Sequence, residues 1–363
     1  MPIPLLLHGR HARLEGPPPV YEPFGPWIVP WRCASDRALR EGAGLLDYST
    51  QALIEVRGKD RVGFLQALLT NDVARLTPGH GCRAALLDPS ARLIAECVVL
   101  SDPEALWLMS DLERAGALMQ ALERYHFSEE VVLINHERRW AALALQGPGT
   151  FEWLRAALGH APELREVGDH VSVPLGTPAA RLIRLDLIGA PGCVGLVPAE
   201  SAAAAWQDWL QAGASHGLEP VGWEALNTAR IEAGLPWFGR DMDSTTLLPE
   251  TGLDTILCSD TKGCYVGQEI IARMRTYGSP SKRLMGLRVE GVRVPTVGAR
   301  LQREGRDVGW ITSACDSPAL KRPIALGYVT RGSSELGTRV DVILPDAIVH
   351  ATIVDRLLAP PRS

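Results

Sequence analysis

The sequence predicts an α+β protein with more than one domain, and three observations lead to this prediction. Short stretches in which apolar and polar residues alternate, as in strands, are followed by stretches with helical spacing of apolar residues. This order occurs twice, before and after residue 140, without the strict strand–helix alternation of a doubly wound sheet. From residue 284 onward, short strands separated by Gly and Pro indicate a small β-barrel or sandwich. We therefore expect two α+β lobes and a C-terminal all-β domain.

An irregular arm, residues 1–35, and a first α+β lobe, residues 36–139, open the chain. The arm is rich in proline and aromatic residues, which we expect to pack on a neighbouring domain. The elements predicted in the lobe are a helix at 36–42, a strand at 52–58, a helix capped by Asp60, strands at 84–87, 93–100 and 106–110, and a helix from Asp111 to residue 125.

A second α+β lobe, residues 140–283, and a C-terminal domain, residues 284–363, follow. The predicted elements of the lobe are a strand at 140–145, a helix at 150–158, strands at 181–187 and 192–197, helices at 199–212 and 223–233, and a helix after Cys264. Residues 235–254 form a long polar connector, and such connectors are usually functional or disordered. The C-terminal strands are expected at 284–289, 308–313, 325–329, 339–344 and 349–354.

The composition argues against several classes of protein. The 363 residues are 46% apolar and carry a net charge of −5 without a long basic block, so a nucleic-acid-binding surface is not expected. The apolar run near the N-terminus is too short for a signal peptide core, and no run reaches the length of a membrane span. The seven cysteines include no CxxC pair, which argues against a disulfide framework and a structural metal. We expect a cytoplasmic monomer.

The segment Lys262–Glu269, which we call the signature segment, is the most conspicuous stretch of the chain. It reads KGCYVGQE and is followed by an amphipathic run that predicts a helix. Cys264 should therefore lie just before a helix N-terminus, where the helix dipole and the charge of Lys262 favour a thiolate. The alternative is that Cys264 is a packed, unreactive thiol and that the glycines only permit a tight turn.

This segment resembles the signature of the YgfZ family, K-G-C-Y-x-G-Q-E, whose members bind folate and assist iron–sulfur proteins. Other stretches are similar to a related protein, the aminomethyltransferase of the glycine cleavage system: residues 42–47, 64–73, 146–148, 230–234, 309–318 and 326–329. The resemblance implies three domains around a folate site, the last of them a β-barrel. In one departure, Ala95 and Glu96 stand where the aminomethyltransferases carry paired aspartates, which speaks against aminomethyl transfer.

The resemblance also implies a set of candidate site residues around tetrahydrofolate or one of its derivatives. The candidates for chemistry are Cys264, Glu96 and Lys262, and the candidates for binding folate are Glu232, Asn71, Ser110, Asp111 and Arg240. Glu232 is the expected acceptor for the adjacent N–H and amino groups of the pterin, because one carboxylate can accept both hydrogen bonds. Local structure offers alternatives, which are an intrahelical ion pair or a cap for Glu232 and helix caps for Asn71 and Asp111.

Three functions remain open from the sequence. The first, which we favour, is a tetrahydrofolate-binding accessory protein for iron–sulfur cluster assembly or repair. Iron–sulfur proteins would be its transient partners, and Cys264 would contact cluster iron or a partner. The second is a folate-dependent aminomethyltransferase or demethylase in which Glu96 acts near N5 of tetrahydrofolate as a base or as an electrostatic stabiliser. The third is a module that binds folate without chemistry.

Overall fold

A computed structural model describes residues 2–11, 18–33, 37–176, 179–278 and 280–359 of the chain. In these ranges the strands are β1 (Ile3–Pro4), β2 (Val20–Phe24), β3 (Trp27–Arg32), β4 (Ala43–Asp47), β5 (Gln51–Arg57), β6 (Gly81–Leu87), β7 (Leu93–Ser101), β8 (Ala105–Asp111), β9 (Val132–Asn135), β10 (Trp140–Gln146), β11 (His170–Val173), β12 (Ala180–Arg184), β13 (Gly192–Pro198), β14 (Leu218–Pro220), β15 (Lys282–Val289), β16 (Arg300–Arg303), β17 (Arg306–Ser317), β18 (Arg322–Thr330), β19 (Arg339–Ile343) and β20 (Ile348–Val354). The α-helices there are α1 (His8–His11), α2 (Ala38–Glu41), α3 (Arg61–Leu68), α4 (Leu112–Arg124), α5 (Thr150–Leu158), α6 (Ala202–Gly213), α7 (Trp223–Glu232), α8 (Leu248–Thr251), α9 (Asp254–Leu257) and α10 (Gln268–Tyr277).

The first lobe is built on an antiparallel sheet with the strand order β6-β7-β8-β5-β9. Helices α3 and α4 cover one face of this sheet, and Cys97 and Val99 of β7 belong to the core beneath them. Val98 and Leu100 of the same strand belong to a different core on the opposite face. Because side chains alternate along a strand, β7 is buried on both faces, and this explains its nearly continuous apolar sequence.

The second lobe is built on a sheet with the strand order β11-β12-β13-β10-β4-β14. Helices α5 and α6 cover its outer face through buried tryptophans, which are Trp153, Trp206 and Trp209. The strand β4 precedes β5 in the chain, yet it pairs with β10 of this second sheet. The chain therefore passes from one sheet to the other between Asp47 and Gln51, so the two lobes are interleaved rather than consecutive.

The two sheets face each other across a shared core at the centre of the molecule. Val98 and Met109 come from the first sheet, and Ala144 and Val194 come from the second. The arm and α7 close this core with tryptophan rings, those of Trp27 and Trp223 among them. The arm thus packs on both lobes, as its aromatic residues predict, and full burial of each large apolar side chain contributes about 1.5–3 kcal/mol.

The C-terminal domain is a closed barrel with the strand order β15-β18-β17-β16-β19-β20, in which β15 pairs with β20. The sequence left a barrel and a sandwich open, and the barrel is confirmed. The α+β class with two lobes is confirmed as well. Within the described residues, none of the helices combines the length and the apolar character that crossing a membrane requires.

Candidate functional site

A cavity of about 110 Å³ lies between the two sheets and is called the central cavity here. Its wall includes Glu96, Met109 and Asp111 from the first sheet and Leu187 from the segment after β12. One ordered water needs only about 10–15 Å³ of such space. The central cavity can therefore accept part of an organic ligand, and it combines apolar walls with a few polar groups, as ligand sites generally do.

Glu96 is the most unusual residue of this wall. Position 96 shares the strand face of Val98 and Leu100, so β7 directs its side chain between the sheets. The carboxylate Oε2 accepts a hydrogen bond from Arg83 Nη2 at 3.1 Å, whereas the buried Oε1 has no hydrogen-bond partner among the described residues. Burial raises the pKa of Glu96, and the Arg83 guanidinium opposes this rise. The site therefore contains a mostly buried carboxylate whose Oε1 is an open acceptor position.

Asp111 and Ser110 lie beside Glu96 on the cavity wall. Asp111 is paired in register with Gln51 of β5, whose Nε2 donates a hydrogen bond to Asp111 Oδ1 at 2.8 Å. Burial raises the pKa of Asp111, and the hydrogen bond from Gln51 opposes this rise. The Ser110 hydroxyl donates to the carbonyl oxygen of Glu96 at 2.6 Å, so Ser110 holds the strand that carries Glu96.

The connector after α7 forms the remaining wall of the central cavity. Leu235, Trp237, Phe238, Met242 and Leu253 all line it. Met242 and Leu253 are buried against Leu87 and Leu93 of the first sheet and against Tyr265 of the signature segment. The connector is folded and encloses the central cavity, which favours a functional segment over a disordered one.

Glu232 lies outside the wall of the central cavity, at the joint between α7 and the barrel. Its Oε1 accepts hydrogen bonds from the Ser317 hydroxyl at 2.6 Å and from the Ala319 amide at 3.3 Å. The neighbouring Arg230 is fully buried and pairs with Asp241, and its Nη2 also donates to Ser313 Oγ at 2.6 Å. The R-x-E-A-G stretch thus attaches the barrel to the second lobe, and this placement does not fit the expected role of Glu232 as the pterin acceptor.

Asn71 and Arg240 also lie outside the wall of the central cavity. Asn71 Nδ2 donates to the Arg83 carbonyl oxygen at 2.8 Å, and its Oδ1 accepts from the Asp72 amide, so hydrogen bonds within the first lobe, rather than a helix cap, engage this side chain. The guanidinium carbon of Arg240 lies 4.4 Å from the ring centre of Phe24 and 5.9 Å from that of Trp31. Arg240 therefore fastens the arm rather than facing the cavity.

Lys262 of the signature segment is buried, and carbonyl oxygens surround its ammonium group. Its Nζ donates to the carbonyl oxygens of Gln66 at 2.6 Å, of Asn71 at 3.1 Å and of Leu69. These carbonyls lie in and just beyond the last turn of α3, where a cation is favourable. Burial lowers the pKa of Lys262 to about 8. All three protons of the ammonium are thus engaged in joining the signature segment to the first lobe, which differs from the expected support of a thiolate.

Cys264 is exposed, in contrast to the buried thiols of Cys97, Cys193, Cys258 and Cys315. The helix α10 begins at Gln268 and its N-cap is Gly267. The effect of a helix dipole is largely confined to the first turn. Cys264 lies in the loop that precedes this turn. Gly267 has φ +82°, and a Cβ there would lie 2.8 Å from the Asp88 carbonyl oxygen. The second glycine of the signature is therefore required by the close contact of this turn with the first lobe.

Several wall residues of the central cavity were not predicted from the sequence. Arg83, Gln51, Tyr48 and Asp186 reach the cavity from four separate places in the chain. A period-two signal could have indicated Arg83, because in β6 it alternates with the helix-facing Ala84 and Leu86. Tyr48 and Asp186 lie in loops, and their positions depend on how the two sheets face each other.

A wider groove of about 820 Å³ runs along the surface between the arm, α7 and the barrel. Arg32 and Glu224 on its wall pair with each other at 2.8 Å. Arg32 and Glu224 thus satisfy each other, whereas Glu96 has a buried oxygen without a partner among the described residues, so Glu96 favours the central cavity as the functional site.

Family models match almost the whole chain. The model described as the GCVT N-terminal domain matches residues 20–261, and that of the glycine cleavage T-protein C-terminal barrel domain matches residues 282–358. The chain is 32% identical over 348 residues to an aminomethyltransferase of Symbiobacterium thermophilum, with 92% of each chain covered. It is 30% identical over 340 residues to an aminomethyltransferase of Geobacillus thermodenitrificans, with 91% of this chain and 92% of the relative covered.

A solved structure shares the same architecture. The glycine cleavage system aminomethyltransferase T from Bartonella henselae superposes with a TM-score of 0.88 and is 25% identical, with 99% of this chain and 98% of that chain covered. The two lobes, the barrel and their order along the chain are therefore common to both proteins. Together with the family models and the curated relatives, this shows that the chain belongs to the aminomethyltransferase family of glycine cleavage T-proteins.

Proposed function

We propose that this protein binds tetrahydrofolate in the central cavity and takes part in folate-dependent one-carbon transfer of the aminomethyltransferase type. The single observation that carries the proposal is the buried Oε1 of Glu96 on the cavity wall, which lacks a hydrogen-bond partner within the described ranges. The names of the relatives support the same reaction class over the iron–sulfur role that we favour from the sequence. The glutamate at position 96 in place of an aspartate retains the carboxylate that the reaction class uses.

The wall of the central cavity fits the chemistry of a reduced pterin. Tetrahydrofolate supplies a ring nitrogen that accepts a one-carbon unit, and its ring edges carry N–H donors. Glu96 Oε1 offers an acceptor for such a donor, and Val98, Met109 and Leu187 offer apolar surface for the ring faces. A buried acceptor that lacks a partner carries a large desolvation cost, so a ligand donor in this place is strongly favoured.

Glu96 is suited to proton transfer at the reacting nitrogen. Burial raises the pKa of Glu96, so this carboxyl group binds a proton more readily than an exposed one. Arg83 holds the other carboxylate oxygen and so fixes the direction in which Oε1 points. When ionised, the same carboxylate stabilises positive charge that develops on the nitrogen.

The test is turnover with tetrahydrofolate and an aminomethyl donor, followed by detection of methylene-tetrahydrofolate. Glu96→Gln keeps the size of the side chain and removes its proton chemistry, so the rate at saturating folate should fall about 10²–10⁴-fold. Glu104→Gln, in the exposed turn before β8, is the matched control and should leave the rate unchanged. A Glu96→Gln variant with the wild-type rate would remove Glu96 from the chemistry, and no product with wild-type protein would contradict the reaction class.

A second candidate function is the iron–sulfur role of the YgfZ branch, and the exposure of Cys264 favours it specifically. A thiol that is accessible in a loop can contact a partner or a cluster, which a packed thiol cannot. This function would use the same folate cavity and add an external contact at the signature segment.

Cell-based assays of iron–sulfur enzymes separate this second candidate from the first. Cys264→Ala should lower those activities, whereas Cys33→Ala, at a half-buried thiol of the arm, should not. If Cys264→Ala leaves the iron–sulfur enzymes unaffected, the second candidate is removed and the one-carbon proposal stands by itself.

A further inference from the structure

A second, smaller cavity of about 60 Å³ adjoins the central cavity and is called the aromatic cavity here. The walls of the two cavities have Tyr48, Asp111, Trp237 and Phe238 in common. The volume is several times what one water needs, so the aromatic cavity has room for a water-sized ion with part of its hydration but not for a second ring system. A small product released from a ligand in the central cavity therefore has the aromatic cavity beside it.

Aromatic rings dominate the wall of the aromatic cavity. They come from the arm, from the crossing between the sheets, from α7 and from the connector, and they are Phe24, Trp27, Tyr48, Trp223, Trp237 and Phe238. The ring of Trp223 has its centre 4.8 Å from that of Phe24, 5.8 Å from that of Tyr48 and 5.9 Å from that of Trp237. Because the face of an aromatic ring is electrically negative, a wall of this kind attracts a small cation.

Hydrogen-bond acceptors complete the wall, and they come from Thr50, Asp111 and Glu113. Neighbouring side chains hold both carboxylates in place. Gln51 Nε2 donates to Asp111 Oδ1 at 2.8 Å, and the indole N–H of Trp27 donates to the carboxylate of Glu113. A carboxylate can accept about four hydrogen bonds, so Asp111 and Glu113 can also accept from a donor inside the cavity.

The charges on the wall favour a cation as well. Among the described residues of the wall, Arg114 is the one basic side chain, and its guanidinium donates to the Ile94 carbonyl oxygen at 2.7 and 3.0 Å. With Asp111 and Glu113 both ionised, the wall therefore has one negative charge in excess. Burial raises the pKa of both carboxyl groups, and a cation bound beside them would lower it again. Ring faces and carboxylates thus act in the same direction.

The proposed reaction releases a small cation. An aminomethyl donor holds its carbon between a carrier atom and an ammonium nitrogen, whereas methylene-tetrahydrofolate holds this carbon between two folate nitrogens. Two bonds of the carbon to the donor break, and two bonds to folate form. Of the two N–H protons that folate loses, one goes to the carrier and one goes to the departing nitrogen, which leaves as ammonium. The carbon keeps its oxidation level, so the balance requires no oxidant.

We propose that the aromatic cavity receives the ammonium ion that aminomethyl transfer releases and holds it beside the folate site until it leaves the protein. This inference rests on the proposed function, because it assigns a site to the second product of the same reaction. The N–H groups of the ion donate to Asp111, Glu113 and Thr50, and its charge faces the rings. Since Asp111 lies on the walls of both cavities, its carboxylate can follow the nitrogen from one cavity to the other.

Calorimetric titration of the wild-type protein with three chloride salts tests the site, with sodium chloride keeping the ionic strength constant. Potassium has the charge and nearly the size of ammonium but no N–H donors, and tetramethylammonium has the charge but is much larger and also lacks N–H donors. Ammonium should bind at least about fivefold more tightly than either of them. Equal affinity of ammonium and potassium, or of ammonium and tetramethylammonium, would overturn the proposal.

Two matched variants on α4 probe the contribution of the carboxylate. Glu113→Gln removes one negative charge from the wall, keeps an oxygen that accepts from Trp27, and should weaken ammonium binding about fivefold. Glu123→Gln makes the same change at an exposed position of the same helix, outside the aromatic wall, and should leave ammonium binding unchanged. Wild-type affinity of Glu113→Gln for ammonium would contradict the inference.

Inhibition of turnover by ammonium connects the site with the reaction. With tetrahydrofolate and an aminomethyl donor, ammonium chloride should slow the formation of methylene-tetrahydrofolate at concentrations at which potassium chloride does not. In Glu113→Gln, the ammonium concentration that halves the rate should rise about fivefold. If the two salts affect turnover equally, the ammonium site is wrong and the proposed function stands. If ammonium binds but the wild-type protein forms no methylene-tetrahydrofolate, the proposed function fails, and the assignment of ammonium as its product fails with it.

Discussion

The buried polar groups at the joints of this protein and those at its central cavity differ in how completely they are hydrogen-bonded. At the joints, Lys262 has three carbonyl partners, and Glu232 accepts two hydrogen bonds from the barrel. At the cavity, the part of the chain that the structure describes gives the two oxygens of Glu96 one partner, which is Arg83. Satisfied groups hold pieces of the fold together, whereas an unsatisfied buried acceptor indicates a place for a ligand. The difference teaches that polar burial alone does not identify a functional residue.

The most conspicuous motif of the sequence, the signature segment, belongs to the joints rather than to the central cavity. In the signature segment, Lys262 and Gly267 both hold the loop against the first lobe, whereas the Cys264 thiol is exposed to solvent. Glu96, in contrast, belongs to an unremarkable strand, and its importance follows from what surrounds it. A motif with a distinctive sequence can therefore hold parts of the fold together, while the candidate reactive group lies in another segment.

The largest effect on stability is expected at the joint made by Lys262. Lys262→Met keeps much of the apolar stem but leaves three buried carbonyl groups without their donor, so the free energy of unfolding should fall by about 2–3 kcal/mol. Urea denaturation measures this, and tetrahydrofolate affinity of the folded variant should be unchanged. Lys59→Met, at an exposed ion pair with Glu130, should change stability by less than about 0.5 kcal/mol. If both substitutions lowered the free energy of unfolding equally, the hydrogen bonds of Lys262 would not stabilise the contact between the signature segment and the first lobe.

At the central cavity, replacing Glu96 is expected to raise the stability of the protein, by less than replacing Lys262 lowers it. Burial raises the pKa of Glu96 above its ordinary value of 4.5, so the folded state holds this proton at pH values where the unfolded state has released it. The contribution of Glu96 to stability is thus fully present below pH 4.5 and is lost as the pH rises through its folded pKa. Glu96→Gln, which does not titrate, should therefore gain thermal stability relative to wild type between pH 4.5 and pH 7. If the difference in thermal stability between Glu96→Gln and wild type became smaller toward pH 7, the burial of the Glu96 carboxyl group would be contradicted.

Local patterns predicted much of the fold because they report local physics. The hairpin expected at 84–87 and 93–100 is the pair β6 and β7, and the short strands after residue 284 form the barrel. The burial of Glu96 could also be predicted, because it is the single charged residue in the largely apolar sequence of β7. The pairing of β4 with the second sheet could not be predicted, because the sequence of a strand does not determine which strand it pairs with.

The candidate site was harder to predict than the fold. Glu232 lies in a helix with a family-like pattern, but the barrel that satisfies its carboxylate is more than 80 residues away in the chain. Trp237 and Phe238 belong to a connector whose polar sequence gives no sign that it encloses a cavity. Such contacts arise from the packing of distant segments, and only the assembled structure brings them together.

Titration with tetrahydrofolate of wild type, Glu96→Gln and Glu232→Gln tests the central claim most directly, because the two variants make the same change at the cavity and at the joint. Loss of a charge-assisted hydrogen bond at the cavity should weaken folate binding about tenfold in Glu96→Gln. Glu232→Gln should bind folate within about twofold of wild type, since its side chain faces the barrel. Weaker binding in Glu232→Gln together with wild-type binding in Glu96→Gln would contradict the assignment of the central cavity as the folate site.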